Sequence, residues 1–138
     1  MGERYNGSAE QHEALRLLIQ KLEHLEKLGG VADLVALDLV VSERIRQFEV
    51  EGFTPAHDDE HRREGQLSAA GACYALHASR MALVHSRTGS LEEKHSAVHP
   101  IWPFSPLTWK PASMRRSQVK ATALNLAELA RQVRAGIP

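Results

Sequence analysis

Leu15, Leu18, Leu22 and Leu25 recur at steps of three, four and three residues. On a helix those steps fall on one line, while Glu13, Arg16, Lys21, Glu23, Glu26 and Lys27 occupy the other side. The pattern predicts a helix from Ser8 to Leu28, stopped by Gly29-Gly30. A second helix is predicted over 31–51, with Leu34, Leu37, Val41, Ile45 and Phe48 as its inner face and Gly52 as its stop. Thr54 and Pro55 suit the N-cap and first position of a short helix, whose positive end favours Asp58, Asp59 and Glu60. A third long helix is predicted over 66–86, with Leu67, Ala70, Tyr74, His77, Met81 and Val84 on one face. Its many alanines and Gly71 permit close helix packing. The last helix is predicted over 113–134, with Val119, Ala123, Leu126, Ala130 and Val133 inward.

No segment alternates with the period of a strand. Between His99 and Pro111 stand four of the six prolines and both tryptophans, which excludes a regular helix or a central strand. That segment should form an ordered loop over the helices. Residues 1–7 should fray, and 87–99, which are polar, should be mobile. The expected fold is mainly α: one compact domain of about four main helices with a Pro/Trp-rich loop. An amphipathic helix within 1–30 is added to a domain over 31–138, for packing or dimerisation.

The length of 138 residues fits one domain that buries a core without staples. The formal net charge is zero, so no long nucleic acid is expected as a partner. The charge is uneven, however. Residues 112–138 carry five Arg/Lys and one Glu, while 43–64 carry seven acids and four bases. The single cysteine, Cys73, allows no internal disulfide and sits among alanines as a small buried residue. No apolar run has the length of a membrane span and the N-terminal stretch has no signal-peptide core, so a cytoplasmic protein is expected.

The candidate chemistry clusters in two places. His57 and His61 are four apart and share a helical face, the spacing of a two-His metal site, with His77, His85, His95 and His99 as candidates for a third ligand. The bland alternative is that Asp58 and Asp59 cap the corner and pair with arginines. Arg44 and Arg46 point away from each other, so only one can face a shared pocket. Arg115, Arg116 and Lys120 form a basic cluster opening the last helix, with Trp109 and Lys110 just before it. Helix N-termini and arginine forks suit phosphate, and an exposed ring suits a base. The bland readings are a solvated basic face and a tryptophan lid on the core. There is no Gly-rich phosphate loop, no Gly-x-Ser-x-Gly and no Cys-x-x-Cys. The paired acidic motifs of all-α pyrophosphohydrolases are also missing.

Two blocks carry a resemblance. The first is Glu43-Arg44-Ile45-Arg46-Gln47, then Glu51-Gly52-Phe53-Thr54-Pro55-Ala56-His57-Asp58-Asp59-Glu60-His61, Gly65-Gln66-Leu67 and the run to Tyr74-Ala75. The second is Trp102-Pro103-Phe104, Trp109-Lys110-Pro111, Arg115-Arg116, Lys120-Ala121-Thr122-Ala123-Leu124 and Ala127-Glu128. Together, over roughly 38–131, they resemble a family of small phage and prophage proteins that also forms the C-terminal part of some early lambdoid-phage proteins. A weaker resemblance is to the repeat domain first named in ryanodine receptors. It rests on Arg46, Gly52-Phe53, Asp58-Asp59, the His99–Leu107 segment, Lys110 and Arg115 or Arg116. It implies a nucleotide-derived ligand.

The resulting expectation is a phage-derived binding module rather than an enzyme, without cofactor or functional metal. It would capture a small phosphorylated ligand, such as a nucleotide signal of host defence, as a homodimer or higher homo-oligomer away from membranes. The candidate ligand residues are Arg44, Arg46, Asp58, Asp59, Trp109, Lys110, Arg115, Arg116 and Lys120. Arg116 and Lys120 would hold phosphate, Trp109 would stack, and Asp58 or Asp59 would orient an arginine or accept from a ribose hydroxyl. The alternatives are a module docking a host protein and a metal-dependent nucleotide phosphohydrolase.

Overall fold

The computed structural model describes residues 8–91 and 97–138. Residues 1–7, the 92–96 part of the polar stretch and His95 lie outside the described residues. The described chain is mainly α-helical, without strands: α1 Ser8–Lys27, α2 Val31–Glu49, α3 Pro55–His61, α4 Gln66–Thr88 and α5 Met114–Arg134. One 3-10 turn, Pro106–Thr108, interrupts the loop between α4 and α5.

The helix ends follow local chemistry. Gly29 takes a φ of 95° between α1 and α2, and a Cβ at Gly30 would come within 2.8 Å of Leu25. A tight turn there requires glycine. The Thr54 hydroxyl accepts from the His57 N–H at 3.3 Å and caps α3. The Ser113 hydroxyl accepts from the Arg116 N–H and starts α5. Ser117, one turn later, is buried and donates its hydroxyl to the Ala112 carbonyl.

The core lies between α4 and α5. Leu67, Ala70 and Tyr74 of α4 meet Ala121, Leu124 and Ala127 of α5. Small side chains bring the backbones together: a Cβ on Gly71 would lie 3.1 Å from the Ala121 carbonyl oxygen. Trp102, Phe104 and Trp109 pack against this cluster from the loop side, so the proline-rich segment is an ordered cover over the helices.

The inner faces of two helices differ from those the spacing predicts. On α2 the buried positions are Val40, Glu43, Arg44 and Gln47, whereas Leu37, Val41, Ile45 and Phe48 face outward. On α5 the buried set is Ser117, Ala121, Ala123, Leu124, Ala127, Glu128 and Arg131, while Leu126 and Val133 are exposed. On α2, Glu43 is drawn inside by its ion pair with Arg116 of α5, while on α5 Ala121, Leu124 and Ala127 face α4 and Glu128 is paired with Arg131 in its own helix. Helix α1 packs on α2 and has no buried residue.

Candidate functional site

A cleft of about 470 Å3 opens between α2, α4, α5 and the aromatic loop. Its apolar surface is mainly aromatic, with Tyr74 from α4, Trp102 and Phe104 from the loop and Phe53 from the corner before α3, beside Ala70, Leu107 and Leu124. The rings brace one another. Trp102 meets Phe104 edge-on at 5.6 Å and Tyr74 edge-on at 5.7 Å. The Trp102 indole N–H donates to the Ser105 carbonyl and the Thr108 hydroxyl, which fixes the loop over the 3-10 turn.

Four cations line this cleft, Arg46, Arg62, Lys110 and Lys120, against two carboxylates, Glu43 and Glu51. The carboxylates are already engaged. The Glu43 side chain is fully buried and accepts from Arg46 at 2.9 Å and from Arg116 at 2.6 Å. Burial acts to raise its pKa, but the hydrogen bonds from Arg46 and Arg116 outweigh that and hold it below the ordinary value. Arg46 also reaches Glu51 at 2.9 Å, and its pKa is raised by the hydrogen bond to Glu43. Glu43 is therefore an internal anion clamped between α2 and α5.

The remaining cations are different. The Lys120 ammonium lies 5.1 Å from the centroid of Tyr74, and among the described residues it forms no ion pair. Burial lowers its pKa, and the nearby Arg116 charge lowers it further. Lys110 is exposed on the rim and likewise forms no ion pair among the described residues. The Arg62 guanidinium rests 4.7 Å from the Phe104 centroid; its Nη1 donates to the His61 carbonyl at 3.2 Å, and its buried Nε has no hydrogen-bond partner. Cations held over rings and short of acceptors attract a bound anion.

The candidate residues from the sequence are distributed as follows. Arg46, Lys110 and Lys120 line the cleft. Arg116 stands behind it on Glu43. Trp109 lies in the ring cluster, 4.9 Å from Tyr74 and 5.0 Å from Trp102. Arg115 borders a separate apolar groove with Leu37, Leu39 and Val119. Arg44 is buried, bonds Gln47 and covers the Phe48 ring at 4.5 Å. Burial lowers its pKa, and the Asp58 charge opposes that. Asp58 is fully buried near His57, with Oδ1 3.3 Å from the ring nitrogen and Oδ2 without a partner. Asp59 pairs with Arg134 at 2.9 Å, tying α3 to the end of α5. The start of α5 thus meets α2, and the His57–His61 corner meets the other end of α5. Between the two blocks, Phe53 shares the cleft with the aromatic loop and Arg62 reaches its Phe104.

His57 and His61 have ring centroids 5.0 Å apart. Among the described residues no group of three or more His, Cys, Asp or Glu is placed to hold a metal ion. His77 is buried and donates from Nε2 to the Ala112 carbonyl at 2.9 Å. His99 accepts from the Ile101 N–H. Sequence reasoning missed Arg62, Glu51 and the exposed part of Tyr74. Among the described residues no helix is long and apolar enough to cross a membrane. The chain matches no family model, no curated protein and no solved structure.

Proposed function

We propose that this chain is a phage-derived binding module whose cleft captures a small phosphorylated ligand carrying a planar ring, of the nucleotide-signal class used in host defence. The observation that carries the reading is the pairing of an aromatic wall with Lys120 and Arg62. The volume of about 470 Å3 falls within the range usual for small-ligand pockets. Lys120, Lys110 and Arg62 would take the phosphate, while Tyr74, Trp102 and Phe104 would offer faces or edges to the ring. The Glu43 clamp would hold Arg46 at the cleft edge. The reading includes self-association, because packing on α2 leaves no residue of α1 fully buried.

A thermal-shift screen of nucleotides and cyclic nucleotides, on wild type and Lys120→Met, tests this. A ligand should raise the wild-type melting temperature and do so far less in the variant. No shift with any phosphorylated compound, or equal shifts in both proteins, would reject the cleft. The second reading is a module that docks a host protein. It is favoured by Leu107, 91% exposed on the lip of the cleft. That module would show no nucleotide-dependent shift and would lose its partner on Leu107→Asp.

A further inference from the structure

The apolar stripes of α1 and α2 have a symmetry of their own. On α1 the leucines step three, four and three residues, from Leu15 to Leu25. On α2 the stripe Leu34, Leu37, Val41, Ile45 and Phe48 steps three, four, four and three. Each series reads the same in both directions. A helix with such a stripe can lie antiparallel on its own copy with every apolar residue opposed by another. Leu15 then meets the partner's Leu25, and Leu18 meets the partner's Leu22. Leu37 meets the partner's Ile45, and Val41 meets the partner's Val41. The centres of the two series, near residue 20 and at Val41, sit at a similar height in an antiparallel hairpin turning at Gly29-Gly30. One two-fold axis can therefore serve both helices.

Exposure points the same way. Leu15 and Leu18 are 56% and 52% exposed, and Val41 and Ile45 are 50% and 51% exposed, while Leu22, Leu25 and Leu34, nearer the Gly29-Gly30 turn, are half-buried. A 20-residue helix without a buried residue is marginal unless something covers it. The chain exposes 9623 Å2 in all. A folded monomer of its mass exposes about 7,100 Å2. Counting the twelve undescribed residues at no more than roughly 160 Å2 each leaves at least about 7,700 Å2 for the other 126, against about 6,700 Å2 for a folded monomer of that smaller size, an excess of about 1,000 Å2. A standard interface takes about 800 Å2 from each partner. The zero net charge raises no barrier to self-pairing.

We infer that two copies of this chain pair through α1 and the outer stripe of α2, each helix antiparallel to its counterpart across a two-fold axis at Val41. The result is a four-helix interface. It leaves the cleft on the opposite side of α2 open, and it does not depend on what the cleft binds.

Sedimentation equilibrium at micromolar concentration should give twice the chain mass of 15.3 kDa. Leu18→Glu and Val41→Glu should each raise the dimer dissociation constant at least a hundredfold. Both positions are half exposed within one chain, so α4 and α5 should stay folded by circular dichroism. Register is tested by oxidation. In a Cys73→Ser background, Val41→Cys should cross-link to its own copy much faster than Val35→Cys, which lies on another face of α2. A monomeric wild type, a dimer that survives both glutamate variants, or equal cross-linking at 35 and 41 would overturn the arrangement.

Discussion

Arg116 places its guanidinium 2.6 Å from the carboxylate of Glu43, joining positions 73 residues apart and bridging α5 to α2. Because the Glu43 side chain is fully buried, the contact is structural before it is functional. Arg116→Ala should cost about 1.5–3 kcal/mol of folding stability, the range for a charged hydrogen bond, since Arg46 alone would then neutralise a buried acid. Urea unfolding of the variant measures this. An unchanged midpoint would show that Arg46 suffices.

Acid should weaken the fold through Glu43 and Glu128. Glu43 is held below its ordinary value of 4.5 because the Arg46 and Arg116 hydrogen bonds outweigh burial. Glu128 is lowered chiefly by its hydrogen bond to Arg131, 2.7 Å away. A carboxylate whose pKa is lower folded than unfolded stabilises the fold fully above the unfolded value, and that stability fades as pH falls through the folded value. Urea midpoints should thus hold steady near neutrality and drop below about pH 4.5, less steeply in Glu43→Gln. A variant as acid-sensitive as wild type would remove Glu43 from this account.

Lys120 should give ligand binding an alkaline limit. Its pKa is lowered from 10.5, mainly by burial, so its charge is lost earlier than that of an exposed lysine. Titration calorimetry with a phosphorylated compound found in the thermal-shift screen should show affinity falling as pH rises toward that lowered value. Above about pH 8 the phosphate itself is fully ionised, so the decline would belong to the protein. A Lys120→Arg variant should retain binding to higher pH. If both proteins decline together, the ammonium is not the contact.

Gly71 should tolerate no side chain. A Cβ there would lie 2.9 Å from the Asn125 amide nitrogen and 3.1 Å from the Ala121 carbonyl oxygen. The neighbouring helix would have to move, at about 1–3 kcal/mol for Gly71→Ala. Chemical denaturation would measure it, and a neutral result would mean that α5 can shift at no cost.

The helices themselves were legible because their punctuation is local. Gly29-Gly30, Thr54-Pro55 and Ser113 mark boundaries through backbone geometry and caps, and the structure places its helix ends there. The face of α4 was also legible, since Leu67, Ala70, Tyr74 and His77 are all buried. The inner face of α2 was not. A period identifies an apolar stripe but not what covers it, and here Glu43, Arg44 and Gln47 occupy the inside. Their burial depends on partners such as Arg116 that arrive from distant sequence. Within the cleft, Lys110 and Lys120 stood out as basic residues near tryptophan. Arg62 did not, because its value comes from lying over Phe104, 42 positions away in sequence.

Both tryptophans of the chain sit in one ring cluster, with centroids 5.0 Å apart. The molecule therefore carries its own optical reporter. Indole fluorescence arises from a single place, the ring cluster at the cleft, because both indoles lie there. A spectral change on adding a compound can be read as an event at that wall, and loss of the loop's docking would register before the helices lose their far-ultraviolet signal.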